Sequence, residues 1–160
     1  MVRSHARPAL KLAFMLVQDT NIAQEIVQEA FTNLWASSRT PAVESEFRRF
    51  LYRTLANLAR DHHRKRKRLL ALPIPNQRLA NPLDEVERRS GGETMKTALR
   101  ALPLRERQAV YLRYFEDQSY SETARLMGAP QVTVRVLIHR GLGKLRHILA
   151  TEVSTDRVVT

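Results

Sequence analysis

Apolar residues recur along this chain at spacings of three and four, the period of a helix that buries one face. Leu10, Ala13, Phe14 and Val17 mark one such face, and Ile22, Ile26, Val27, Ala30, Phe31 and Leu34 mark a second. Phe47, Phe50, Leu51, Leu55 and Leu58 mark a third. No stretch alternates with the period of two expected of a half-buried strand, and β-branched residues are scattered. The predicted class is all-α. Cap residues Asp19-Thr20-Asn21 separate the first two helices, and Ser37-Ser38-Arg39-Thr40-Pro41 separates the second from the third.

The pattern fails over residues 69–93, where Pro73, Pro75, Pro82, Asn76, Asn81 and Gly91-Gly92 are too dense for a long helix. A linker is expected there, with one short helix around residues 83–89. Beyond it, residues 94–102 read as a helix, and Pro103 suits the first position of another that runs to about Tyr114. Ser119-Tyr120-Ser121-Glu122 has the form of a capping box, Ser119 covering the Glu122 N–H and Glu122 reaching back. Gly128 is placed to end that helix in the left-handed conformation, and a last helix should run from Pro130 to about Leu149. The expected layout is two small helical domains joined by a flexible linker: residues 1–68, linker 69–93, residues 94–150 with a helix-turn-helix, and a flexible tail 151–160.

Charge then narrows the function. Among 160 residues, 27 Lys and Arg face 16 Asp and Glu, a formal net charge of +11, which favours a polyanionic partner, nucleic acid before an anionic membrane. A hydrophobic fraction of 43% argues against wholesale disorder. The absence of cysteine excludes disulfides, thiol nucleophiles and cysteine-ligated metal. The longest apolar run, residues 12–17, is far too short to span a bilayer, and no cleavable signal peptide is visible, so a cytoplasmic protein without membrane insertion is expected.

Most of the excess charge sits in the third helix. Residues 48–68 carry nine basic side chains against one acid, Asp61, and Arg64-Lys65-Arg66-Lys67-Arg68 repel one another unless an anion is near. Phe47, Phe50, Tyr52 and Asn57 lie on the same helix; aromatics beside a basic groove stack unpaired bases, and an amide reads a base edge. Core packing is the competing role for at least one of the two phenylalanines. Asp61-His62-His63 resembles a metal-dependent phosphoesterase signature. Adjacent helical positions point about 100° apart, however, and no further ligands converge in the sequence, so neither a metal nor a cofactor is expected.

In the second half, Ala124, Met127, Val134, Ile138 and Leu142 are placed to form the small core of a helix-turn-helix. Its second helix carries Arg135, His139, Arg140, Lys144 and Arg146, with no acid in residues 130–150. That asymmetry favours DNA over a plain helical hairpin.

Four blocks of the sequence resemble the extracytoplasmic-function group of bacterial RNA polymerase sigma factors, in family order and spacing. They are Ala23-Gln24-Glu25-Ile26-Val27-Gln28-Glu29-Ala30-Phe31; Phe50-Leu51-Tyr52-Arg53 through Asn57 to Asp61-His62; Leu102-Pro103-Leu104-Arg105-Glu106-Arg107; and Ser119-Tyr120-Ser121-Glu122 through Thr133-Val134-Arg135 to Arg140. The resemblance implies a non-enzymatic subunit that binds core RNA polymerase, recognises promoter DNA and opens it. It places Glu25, Gln28, Glu29 and Trp35 against the clamp helices of the polymerase largest subunit. It gives Asn57 a flipped base of the minus-ten element, with Phe50, Arg53, Arg60, Arg64, Lys65 and Arg66 supporting strand contact. It assigns the minus-thirty-five element to Thr133, Arg135, Val136, His139, Arg140 and Lys144, and implies an anti-sigma factor as a further partner. Val132, Val136 and Leu137 make the recognition helix more apolar than the family pattern, so either it reads thymine methyls or a protein partner covers it, with altered DNA preference favoured. The stretch before Pro8 is shorter than the family pattern, so either the start is truncated or the first helix is poorly supported. A stand-alone helix-turn-helix regulator of duplex DNA and a processing enzyme using Asp61 and His62 are the competing readings.

Overall fold

The computed structural model describes residues 2–71 and 91–158. The linker's short helix at 83–89 lies outside them. The described elements are helices α1 (Val2–Val17), α2 (Thr20–Ala36), α3 (Glu44–Ala71), α4 (Gly91–Arg100), α5 (Leu104–Val110), a π-helical segment (Tyr111–Phe115), α6 (Tyr120–Met127) and α7 (Gln131–Val158).

The first three helices pack on one another through the predicted faces. Pro8 lies inside α1, where its ring removes a helical hydrogen bond. The helix persists because Ala9, Leu12, Ala13 and Leu16 are wholly buried, so burial overrides the local cost. That corrects the expectation of a poorly supported first helix. Asp19 caps α2 by accepting the Asn21 and Ile22 N–H groups at 2.9 and 3.1 Å, an arrangement worth about 1 kcal/mol. Just before it, Gln18 turns the chain with φ 57° and donates its amide to the Met15 carbonyl.

The second half follows the expected grammar with three differences. Pro103 sits at the N-cap of α5 rather than inside its first turn. The helix after it does not stay α-helical to Tyr114: it widens into the π-helical segment, closed by the Glu116 N–H on the Tyr111 carbonyl. The expected flexible tail is helical as far as Val158, since residues 150–158 contain neither Gly nor Pro to end α7. Thr151 and Ser154 hydroxyls donate to carbonyls one turn back, which satisfies them without breaking the helix. The helix-turn-helix itself forms as read, except that among the described residues only the Ser119 half of the capping box is made. Ser119 Oγ accepts the Glu122 N–H at 3.0 Å, Gly128 closes α6 with φ 65°, and Ala124, Val134 and Ile138 are buried between α6 and α7.

These two modules are docked on each other. One hydrophobic cluster runs from Ala9, Leu16 and Leu55 into Leu99, Leu102, Leu112 and Leu126. Arg107 joins them most directly. Its buried guanidinium donates to Leu99, Arg100 and Leu102 carbonyls in its own module and to Met15 and Leu16 carbonyls at the end of α1, at 2.8–3.3 Å. Two helix C-termini, each a partial negative charge, meet one cation. Burial, and to a lesser degree Arg100, lowers the Arg107 pKa, but an arginine starts so high that it stays charged. A second link runs from Tyr52, whose hydroxyl donates to the Glu116 carboxylate at 3.0–3.1 Å.

Candidate nucleic-acid interface

Three surfaces carry the predicted site residues. On α2, Glu25, Gln28, Glu29 and Trp35 are all exposed, while Ala23, Ile26, Ala30, Phe31 and Leu34 are buried behind them. Spacings of three, four, seven and ten put the four on one stripe. Trp35 is 74% exposed, an uncommon state for an indole.

On α3 the aromatic candidates separate. Phe47 and Tyr52 are buried, at 5% and 1%, and only Phe50 reaches the surface. With the period of the helix, Phe50, Arg53, Asn57, Arg60 and Arg64 form one continuous stripe, the four polar members lining a cavity of about 570 Å3. Lys65 and Arg66 are exposed but lie outside that lining. The cavity's other wall is the second module, and Arg53 already donates to the Arg125 carbonyl at the end of α6, 3.1 Å away. Here the cation answers a helix C-terminus rather than a phosphate.

The two histidines beside this stripe are taken up by the fold. His63 Nε2 lies 2.8 Å from the Leu16 carbonyl, which only accepts, so the ring is bound as a donor. His62 meets it edge-on at 5.8 Å between ring centres. Partial burial, then the neighbouring His63 and Arg66, hold the His62 pKa below the ordinary histidine range.

On α7, Arg135, Val136, His139 and Arg140 are exposed together, with Thr133 half-buried at the edge of the turn. Arg135 stacks over the Tyr120 ring at 4.6 Å, which fixes where its guanidinium starts. Lys144 is different. Its ammonium sits 2.9 and 3.0 Å from the two oxygens of the buried Glu106 carboxylate, so it serves as a strut between α7 and α5. Sequence reading missed Arg107, Glu106 and Glu116, because each acts through a partner 38 or more residues away; the density of apolar neighbours at Ala109, Val110 and Leu112 was the one local sign that this stretch is interior.

The chain is similar to known proteins. Residues 1–69 match the family described as Sigma-70 region 2, and residues 93–145 match Sigma-70, region 4. The ECF RNA polymerase sigma factor SigE of Mycolicibacterium smegmatis is 33% identical over 156 residues; the match covers 94% of this chain and 60% of that protein's length. The RNA polymerase sigma-E factor of Streptomyces coelicolor is 29% identical, with 92% and 83% covered. The sigma factor RpoE of Bartonella quintana, solved in complex with the anti-sigma factor NepR, has a TM-score of 0.71 over 93% of this chain and 94% of its own, at 20% identity, a likeness of fold.

Proposed function

The chain belongs to the sigma-70 family, in its extracytoplasmic-function group, and from that premise we propose that it binds core RNA polymerase, selects promoters and opens them. It performs no covalent chemistry of its own. The α2 stripe of Glu25, Gln28, Glu29 and Trp35 docks on the clamp helices of the polymerase largest subunit, an acidic rim around one large aromatic anchor. The α3 stripe captures a separated strand. Arg53, Arg60 and Arg64, with Lys65 and Arg66 beside them, follow the phosphates; Asn57 reads a base flipped out of the minus-ten element, and Phe50 offers the exposed ring on which a base stacks. Unstacking a base costs a few kcal/mol, and stacking on an aromatic ring returns about 1–3 kcal/mol.

The other module holds duplex DNA upstream. Arg135, His139 and Arg140 project from the N-terminal half of α7, the part of a recognition helix that enters the major groove, with Thr133 and Val136 at its edge. Lys144 is left out of this set because Glu106 holds it. The observation that carries the reading is the pairing of an exposed amide-and-arginine stripe on α3 with a capped helix-turn-helix in one chain. A stand-alone duplex-binding regulator has no use for the α2 stripe. An anti-sigma partner is part of the proposal, supported by the complex of the Bartonella relative. The factor acts in the cytoplasm, and on promoters it is associated with the nucleoid. Mixing the chain with core polymerase from a related bacterium should yield a stable complex that starts transcription at defined promoters; absence of that complex overturns the reading.

A further inference from the structure

The cavity at the module junction has a second property: its charge comes from both modules, and among the described residues no acidic one lines it. Arg53, Asn57, Arg60 and Arg64 reach it from α3, and Arg105 and Gln108 from α5. Four guanidinium groups around about 570 Å3 repel one another. Arg53 has the Arg125 carbonyl, and Arg64 has only a long exposed pair with Asp61 at 3.9 Å. Among the described residues, Arg60 and Arg105 have no carboxylate within ion-pair reach. Gln108 is 4% exposed, and its buried Nε2 has no hydrogen-bond acceptor. A buried donor left unmet is costly, and here it lines a cavity ringed with cations. What the junction lacks is an anion rich in acceptor oxygens.

We propose that the junction binds a small phosphorylated anion of nucleotide size, gripped by Arg60 and Arg64 from one side and Arg105 from the other, with the Gln108 amide, closed to water in this arrangement, turning out to donate to it. The volume lies within the range of small-ligand sites. Phosphate oxygens suit guanidinium forks, which donate two parallel bonds. A long strand fits less well, because α6 stands against α3 here: a Cβ at Gly128 would meet Arg53 Nε at 3.2 Å. The complete site exists only while the modules are docked, so the ligand stabilises the docked arrangement over the separated one. None of this requires the promoter reading.

The test is titration of inorganic triphosphate into the full chain, followed by calorimetry at physiological salt. Binding of one equivalent is expected, weakened about tenfold by Arg105→Ala, the scale of one lost charged hydrogen bond, and several-fold by Gln108→Leu. Arg39→Ala, which removes the same charge from an exposed position elsewhere, should leave it unchanged. Arg105 is exposed, so its variant should keep the parent melting temperature. The chain has no cysteine, so Ser38→Cys and Ser121→Cys, one on each module, accept a pair of distance probes; triphosphate should deplete the separated population. Equal weakening by Arg105→Ala and Arg39→Ala would reduce the binding to general attraction by a chain of net charge +11 and overturn the proposal. So would single-stranded oligonucleotide that binds without competition from triphosphate, or probes that move apart when it is added.

Discussion

Arg107 closes the ends of two helices with one side chain, and its value lies in geometry more than in charge. The planar fork reaches five carbonyls of α1, α4 and the turn after α4. A lysine is a point charge on a flexible stem and reaches fewer. Arg107→Met should lower unfolding free energy in urea by at least about 2 kcal/mol, the scale of a charged hydrogen bond with its acceptors stranded, and Arg107→Lys should recover only part of the loss. At Glu116, burial outweighs the Tyr52 hydrogen bond and the Arg48 charge and pushes the carboxyl above its ordinary range. The folded state therefore holds this proton more tightly than the unfolded chain does. Its contribution is complete at acid pH and is lost as pH rises through the folded-state pKa. Relative to Glu116→Gln, which stays neutral, the parent should lose stability as pH climbs out of the carboxylate range; melting curves of both proteins across that range read the difference, and parallel curves would contradict it. Residues such as Glu25 and Asn57 were singled out by the family resemblance, and their exposure follows the helical spacing of the buried faces behind them. Arg107, Glu116 and the capture of Lys144 were not, because a spacing rule says nothing of partners brought together by packing.

At the scale of the element, α7 shows how one helix serves two masters. Its inner side runs so close to α5 that a Cβ at Gly141 would lie 2.8 Å from Val110 Cγ2, whereas Gly143 has open space. Gly143→Ala should therefore stabilise the protein by roughly 0.5–1 kcal/mol through helix propensity. Gly141→Ala should give up that gain to overpacking, which costs about 1–3 kcal/mol. Thermal melts of the pair should move in opposite directions. Its outer side exposes Val132 at 73% and Val136 at 42%, one turn apart and flanked by Arg135, His139 and Arg140. Apolar groups in a major groove contact thymine methyls. Replacing thymine by deoxyuridine in the upstream promoter element should weaken binding by the parent holoenzyme and leave a Val132→Ala, Val136→Ala variant indifferent; equal response by both would contradict it. Helix periods and caps on these elements were readable because they are local. The π-helical segment and the run of α7 to Val158 were not: the first depends on the Tyr111–Glu116 closure, and the second continues through a tail that has no apolar face to mark it, because nothing in residues 150–158 ends a helix.

At the scale of the whole molecule, the sequence foretold two helical modules but not that they dock. The face of α1 that completes the first module and the apolar surface of α4 and α5 share one cluster, and amphipathic patterning marks a buried face without naming what buries it. Docking puts α6 beside the α3 stripe, and on the proposed reading Arg53 exchanges the Arg125 carbonyl for phosphate only if the modules part. On that reading, opening of the promoter couples to opening of the protein, and core polymerase supplies the differential affinity that shifts the balance. The most direct test places a fluorescent base analogue in the non-template strand of the minus-ten element and follows it as holoenzyme forms. Parent chain with core polymerase should unstack the base and raise its signal. Asn57→Ala should bind core as tightly yet fail to raise it, whereas an equal rise with Asn57→Ala, or none with the parent, would contradict strand capture by α3.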